Sequence, residues 1–486
     1  MKRKILTILA CFMLCLCVLT GCGGEKGLSG GPKPTDTVYG NGGYAVRKGE
    51  YVYFTNAIFN GNLTYKRNNY GKENLSAIYR AKLNAQGVID TNEDGIPTGS
   101  QIVAKQIAGF SNSGIYIFGN YIYYATPRIT KDSDGNVVND LISFKRIKLD
   151  GTDHKTIYNL EKRGEDFKFE MYQANGRVYV LVLNDSKLIS ASIKLNGDKV
   201  TTETLAKKVT SAVFPKTSTI TSDYKASDFN NYVYYTRSTT LKTDGIAEHT
   251  YIGKVNINGK SDPQEIKITD KTYTLVEVNN NRLYYTLDDI LYSTDLAQND
   301  IDNATQYSYN KLASYKIVSD QVIGSSATDL GIVAVLSNSL VYYNALNDYI
   351  TLVDGSTKAV TLQYVSGNYA YYTVADDTAL YRKVIYRTRT EQEKLAEKTM
   401  AGEKVIDSVS FVVGEEKDDQ GNVTSEGTKM FDFDDNYVFY FSKVENSNKK
   451  YNYLHMIKIG AQNEESKSYS QFMGKLDKKD ILEDKD

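Results

Sequence analysis

The sequence predicts an all-β chain folded as a single β-propeller of four-stranded antiparallel blades, eight in number, or seven if the weakest copy of its repeat marks no blade. Three observations carry the prediction. An aromatic phrase recurs along the chain, Asx-Gly dipeptides close strands downstream of several copies, and helical periodicity is nearly absent. Self-similarity at a period of about 40–50 residues is the mark of a propeller blade.

The phrase is a Gly or Asn turn followed by a strand of aromatic and β-branched residues. In order it reads GEYVYFT from Gly49, GNYIYYAT from Gly119, GRVYVLV from Gly176, NNYVYYT from Asn230, NNRLYYT from Asn280, TDLGIVAVL from Thr328, GNYAYYT from Gly367 and DNYVFYF from Asp435. The central residues are Tyr53, Tyr123, Tyr179, Tyr234, Tyr284, Val333, Tyr371 and Phe439, separated by 70, 56, 55, 50, 49, 38 and 68 residues. Val333 is the weak copy. Asp150-Gly151, Asn196-Gly197, Asn258-Gly259 and Asp354-Gly355 supply the positive φ of tight hairpins and are expected to join third to fourth strands, with the fifth blade lacking such a turn. In alternating strands one Tyr of each pair should pack between blades and its neighbour face the other side of the sheet. The 40 tyrosines are therefore expected to be mainly blade core. The best helical window, residues 391–399, has little to bury and reads as a surface excursion. The largely charged residues 475–486 read as a disordered tail.

The N-terminus states an address. Lys2, Arg3 and Lys4 precede an apolar run over residues 5–19, too short to span a bilayer core of about 30 Å comfortably, so residues 1–21 read as a signal peptide. Leu19-Thr20-Gly21-Cys22 resembles the bacterial lipobox, which implies diacylglycerol on Cys22 and more than one acyl chain, palmitate among them, holding the protein to the extracytoplasmic face of the cell membrane. The other cysteines, Cys11, Cys15 and Cys17, fall within the signal, so the exported chain has no disulfide and no Cys-based metal site. Residues 22–37 read as the lipidated Cys and a flexible Gly/Ser/Pro tether, and residues 38–474 as the propeller.

The Tyr-Tyr-Thr phrases and Tyr292-Ser293-Thr294-Asp295 resemble the YWTD repeats of propellers of the low-density-lipoprotein-receptor type. More closely, residues 44–473 are similar to a family of Tyr-rich propeller lipoproteins of Gram-positive anaerobes, with Gly-Asn-Tyr-Ile-Tyr-Tyr strands followed by Lys-Leu-Asp-Gly turns. The resemblance implies the fold and a cell-surface location and transfers no catalytic residues. The chain lacks the Trp of the receptor repeat, which separates it from the receptor-type ligand surface.

The chemistry is sparse. Zero Trp removes the Asp-box of sialidases and the Trp-docking repeats of quinoprotein dehydrogenases, and there is no Gly-x-Ser-x-Gly elbow or phosphate-binding Gly loop. His154, His249 and His455 are far apart in sequence and read as surface residues. A formal charge of −1, near −4 without the basic residues of the signal, argues against nucleic acid as a partner. Asp90, Asn92 and Asp94 precede Gly95 with the spacing that opens an EF-hand-type Ca²⁺ loop, though Gln101 stands where the bidentate Glu would be. Long second-to-third connections should place insertions on one face, and Tyr65, Lys66, Arg67, Asn69 and Tyr70, with Arg128 and Arg237 from the connections over residues 127–140 and 237–249, form the expected ligand-binding face. The leading expectation is a non-enzymatic scaffold binding a protein, peptide or glycan. The alternatives are a propeller glycoside hydrolase or lyase acting on polysaccharide, and a structural accessory of a membrane complex.

Overall fold

The computed structural model describes residues 27–474 apart from internal stretches, the longest of which are 60–76, 222–230, 240–248, 318–330, 386–401, 443–450 and 460–469. The helical window 391–399 and the terminal segments 1–21 and 475–486 lie outside the described residues. Eight four-stranded antiparallel sheets follow one another along the chain. Blade 1 is Ala45–Lys48, Tyr51–Thr55, Ile78–Lys82 and Gln101–Ala104, and blade 2 is Tyr116–Phe118, Tyr121–Lys131, Val137–Lys148 and Lys155–Leu160. Blade 3 is Lys168–Ala174, Arg177–Asn184, Lys187–Lys194 and Val200–Lys207, and blade 4 is Ser211–Val213, Tyr232–Thr239, His249–Asn256 and Gln264–Thr269. Blade 5 is Tyr273–Asn279, Arg282–Leu287, Ile290–Asp295 and Ala304–Gln306, and blade 6 is Ser314–Ile317, Ile332–Leu336, Ser339–Ala345 and Asp348–Val353. Blade 7 is Val360–Ser366, Tyr369–Val374, Leu380–Val384 and Glu403–Ile406, and blade 8 is Phe431–Phe433, Tyr437–Ser442, Tyr451–Lys458 and Ser470–Phe472. Each phrase is the second strand of a blade, and Val333 marks a real one. Eight is the count.

The core sits between blades. Eight apolar clusters occupy the eight blade-to-blade junctions, including that of blade 8 with blade 1, where Phe439, Phe441, Leu454 and Met456 meet Val52, Phe54 and Tyr79. Strand alternation sorts the phrase between them: Tyr53, Tyr123, Tyr179, Tyr234, Tyr284, Val333, Tyr371 and Phe439 pack toward the following blade. The next residue, as Phe54, Tyr124, Tyr235, Tyr285, Tyr372 and Tyr440 show, packs toward the preceding one. These adjacent residues thus glue each blade to both neighbours.

A cation accompanies them in four blades, buried in three and half-buried in the fourth. Opposite the central Tyr on the third strand stand Arg80, Arg146, Lys254 and Arg382 in blades 1, 2, 4 and 7. Each lies over the ring two residues before that Tyr: Arg80 over Tyr51 at 5.4 Å, Arg146 over Tyr121 at 4.2 Å, Lys254 over Tyr232 at 5.1 Å and Arg382 over Tyr369 at 4.3 Å. Blades 3 and 5 exchange the partners. There the cation, Arg177 or Arg282, takes the ring's place on the second strand and bonds Ser192 (2.9 Å) or Ser293 (2.9 Å) on the third.

The ring closes by strand addition. Residues 57–59 of blade 1's long second connection form a short strand, Ala57–Phe59, that pairs with Tyr451–Tyr453 on the third strand of blade 8. Ser100 Oγ donates to the Met473 carbonyl (2.7 Å), and Leu454 N donates to the Asn56 carbonyl (3.3 Å).

Three of the four Asx-Gly pairs lie between third and fourth strands as expected, but in connections of five to seven residues rather than tight hairpins, and of these pairs only Gly151 (φ 85) and Gly259 (φ 65) have positive φ; blade 5 lacks such a pair. Asp354-Gly355 does not: it follows the fourth strand of blade 6 and leads into blade 7. Blade 6 is compressed, with a two-residue turn at Ser337 (φ 47) and Asn338 (φ 69) between its second and third strands. All four connections between Val333 and Tyr371 are short, of two, two, six and two residues, and together they account for the shortest period, 38 residues.

Candidate functional site

The second-to-third and fourth-to-first connections share one side of the ring, here the loop face; first-to-second and third-to-fourth turns share the other, the turn face. Loop-face connections are uneven. In blades 3, 5 and 6 they are two-residue turns at Asp185-Ser186, Asp288-Asp289 and Ser337-Asn338, each residue with positive φ. In blades 8, 1, 2 and 4 the second-to-third connections are longer: residues 443–450, the connection holding the bridging strand Ala57–Phe59, a tall hairpin of eleven- and twelve-residue strands, and residues 240–248.

The expected ligand residues distribute as follows. Tyr65, Lys66, Arg67, Asn69 and Tyr70 lie outside the described residues. Arg128 and Arg237 are on strands, not in loops. Thr126 to Lys131 continue blade 2's second strand against Val137 to Ser143, because β-branched residues on both sides extend the ladder, and Arg128 pairs with Leu141. Arg237 pairs with Tyr251, its guanidinium 4.1 Å from that ring's centre. Two of the three histidines differ from the surface reading: His154 is exposed, but His249 is buried, and burial brings the His455 imidazole down to about 4. Both follow from strand alternation on third strands.

Asp90 and Asn92 are exposed, and Asp94 lies outside the described residues. The Asp90 carboxylate accepts from Asn84 Nδ2 (2.8 Å), and its carbonyl accepts from Thr98 N (2.9 Å). With Leu83 bridged to Ile89 and Thr91 to Pro97, the acidic run caps a small hairpin. Among the described residues no group of three His, Cys, Asp or Glu side chains converges as a metal site.

The first strands ring the central channel and carry acids that sequence reasoning did not single out. In blade 3 Glu170 accepts from Tyr116 of blade 2 (2.8 Å), and burial pushes its carboxyl up to about 7 against the pull of the Tyr116 hydroxyl and the Lys216 charge. Lys216 itself pairs with Glu277 of blade 5 at 2.6 Å. In blade 8 Asp432 is buried, accepts from Tyr44 N (3.0 Å) and Phe433 N (2.9 Å), and is likewise pushed up to about 7 by burial. Among 59 acidic residues these three are recognisable only as the lone acid of a short first strand: KFEMYQA, YTLVEVN and FDF.

A strand pair lies at the turn-face end of the channel. Val38–Tyr39 pairs with the inner edge of blade 1's first strand and, on its other side, with Ile220–Thr221, which lies between the first and second strands of blade 4. Residues 27–37, expected as tether, lead into this strand along the turn face. Leu28 N donates to the Asp150 carbonyl (2.8 Å), Arg80 donates to the Ser29 (2.7 Å) and Gly30 (2.8 Å) carbonyls, and Lys48 donates to Pro34 (3.1 Å). Beyond Val38, Ile115 N donates to the Gly43 carbonyl at 2.9 Å, an approach that needs Gly114, since a Cβ there would lie 1.9 Å from Gly43 O.

Neither a family model nor a curated protein sequence matches the chain. Solved structures do. Oligopeptidase B from Leishmania major is 12% identical with a TM-score of 0.44, over 75% of this chain and 49% of that one. Sqt1 from Saccharomyces cerevisiae is 11% identical with a TM-score of 0.37, over 93% of this chain and 100% of that one. The β-propeller domain of the Trilobed protease from Pyrococcus furiosus is 8% identical with a TM-score of 0.36, over 90% and 98%. The chain spans about half the length of the oligopeptidase B it matches. Likeness this distant extends to no activity, site or partner.

Proposed function

We propose that the chain is a membrane-anchored extracytoplasmic lipoprotein, acylated on Cys22, whose propeller is a non-enzymatic scaffold that binds a protein, peptide or glycan on its loop face. The observation that supports this reading is the set of long loop-face connections on blades 8, 1, 2 and 4, beside tight two-residue turns in blades 3, 5 and 6. A rigid ring carrying irregular loops on one face is a common arrangement for recognition. The strand pair across the turn-face end of the channel also favours the loop face over a through-funnel as the binding locus. The test is a pull-down of the mature domain against cell-wall and surface fractions, with a glycan array beside it. Replacing residues 60–76 by a Gly-Ser turn should abolish the captured signal; undiminished capture would sink the loop-face reading.

One observation favours a second reading. Glu170, its carboxyl poised near neutrality and bonded to Tyr116 in the channel, is suited to general acid work in a propeller hydrolase or lyase. Turnover of a cell-wall polysaccharide that Glu170→Gln abolishes would establish it.

A further inference from the structure

We infer that the propeller stands on the bilayer with its turn face toward the lipid and its loop face pointing away. The inference rests on acylation of Cys22 and adds what that reading lacks, a direction. The chain leaves the propeller at a defined place. Gly27 lies beside the Asp150 and Thr152 side chains, where a Cβ would come within 2.9 Å of the Asp150 carboxylate, and the neighbouring Leu28 N bonds the Asp150 carbonyl. Asp150-Gly151 is the third-to-fourth turn of blade 2 and so belongs to the turn face. From there the segment stays on that side: Arg80 holds the carbonyls of Ser29 and Gly30, Asp36 sits against the first-to-second turn at Gly49, and Lys48 Nζ bonds Pro34 O on one side and the turn carbonyl of Gly119 (3.4 Å) on the other.

Length then decides the orientation. Five peptide steps separate Cys22 from Gly27, at most about 18 Å fully extended. The opposite face lies further by the rise of a blade strand, about 26 Å for the eight residues Arg177–Asn184. A chain that starts at the turn face and is this short cannot pass round the rim and let the loop face meet the membrane. Charge plays little part, because the mature chain carries only about four net negative charges and no basic run beside the anchor. The orientation should be the same on zwitterionic and anionic surfaces. The turn face is thereby a lipid-facing surface, and the long connections of blades 8, 1, 2 and 4 are turned toward the cell exterior.

The lipidated full chain, reconstituted in phosphatidylcholine vesicles with nitroxide-labelled headgroups, provides the test. The exported chain has no cysteine besides Cys22, so single reporters can be placed at Asn196→Cys, in the turn-face hairpin of blade 3, and at Glu165→Cys, in the loop-face connection from blade 2 to blade 3. Both positions are exposed. A fluorophore at 196 should be quenched several-fold more than one at 165, with or without anionic lipid. Lengthening the chain with a Gly-Ser insert after Gly24 should shrink that difference. Equal or reversed quenching on protein whose Cys22 carries diacylglycerol by mass spectrometry would overturn the orientation and leave the anchoring intact. A Cys22 without lipid would overturn both, and the mass measurement tells the two failures apart.

Discussion

At the residue scale the repeat is a three-part device: a ring, a central Tyr two residues on, and a cation on the next strand. In blade 2 the Arg146 guanidinium is fully buried, lies over Tyr121, and donates to Lys194 O (3.2 Å) and Asp198 Oδ1 (3.0 Å) in the third-to-fourth turn of blade 3. It therefore ties two blades together as well as bracing its own. Arg146→Ser should destabilise the fold by about 2–4 kcal/mol, through lost packing and lost charged hydrogen bonds. Blades 3 and 5 show the compensating arrangement, so the double variant Tyr121→Arg with Arg146→Ser should recover part of that loss in urea unfolding. No recovery would mean that the exchange seen in blades 3 and 5 depends on their surroundings. Glu170 makes a second prediction. Its folded pKa, about 7, is raised above the ordinary 4.5, so the fold favours its protonated form and stability from this group falls as pH rises through that window. Asp432, raised from 3.8 to about 7, acts in the same sense. His455, lowered from 6.5 to about 4, acts oppositely and weakens the fold as pH falls between those values. Glu170→Gln should therefore unfold at a higher temperature than the parent at pH 8, by on the order of 2 kcal/mol, and match it near pH 4. A gap that persists unchanged at pH 4 would assign the effect to packing.

At the scale of elements, the strand Ala57–Phe59 is what makes the first blade hold the last. Ile58 is fully buried in the cluster between blades 8 and 1 and faces Asn452 in the ladder. Ile58→Pro removes both a ladder hydrogen bond and a core side chain and should cost about 3–5 kcal/mol. Hydrogen exchange should rise at Tyr451–Tyr453 and in the second strand of blade 1, while the second strands of blades 4 and 5 keep their protection. Protection retained at blade 8 would show that side chains alone close the ring. This strand also marks the limit of what the sequence discloses. The second strands were legible because their aromatic pairs face two neighbouring blades at once, and the Asx-Gly pairs because Asn, Asp and Gly are the residues that turns favour, with positive φ at Gly151 and Gly259. Ala57-Ile58-Phe59 carries no such signature, since its partner lies some 400 residues away and nothing local announces strand addition. The same holds for Asp354-Gly355, whose dipeptide reports a turn but not which pair of strands it joins. Glu170, Glu277 and Asp432 were illegible for another reason: a channel is a property of the assembled ring, and single acids acquire meaning only once first strands are brought together.

For the whole molecule, the N-terminal segment decides whether the ring behaves as repeats in series or as one unit. Nearest-neighbour contacts between blades would let an array unravel from its ends. Residues 27–39 oppose that by touching blades 1 and 2, entering the channel, and meeting a segment of blade 4. They bury Val38 and pack Leu28 against the cluster between blades 1 and 2. They also supply carbonyls to two buried cations, Arg80 and Lys48. Removing them exposes apolar surface worth about 1.5–3 kcal/mol for each side chain fully buried. Leaving each cation short of acceptors costs about 1–3 kcal/mol more. A soluble chain beginning at Gly40 should therefore melt well below one beginning at Gly27, by several kcal/mol in all. Ile220–Thr221, which pairs with Val38–Tyr39, should exchange its amides faster, and Lys48 and Arg80 should be laid open on the turn face. Blades 5 and 6, with which the segment shares no strand pairing among the described residues, should unfold in the same transition if the ring is one cooperative unit. If the shortened chain instead melts at the parent temperature, the segment is a passive leash, and the ring needs only its eight junctions. If it melts in two steps, with blades 1 to 4 first, the strand pair across the channel is the clasp that makes eight repeats one domain.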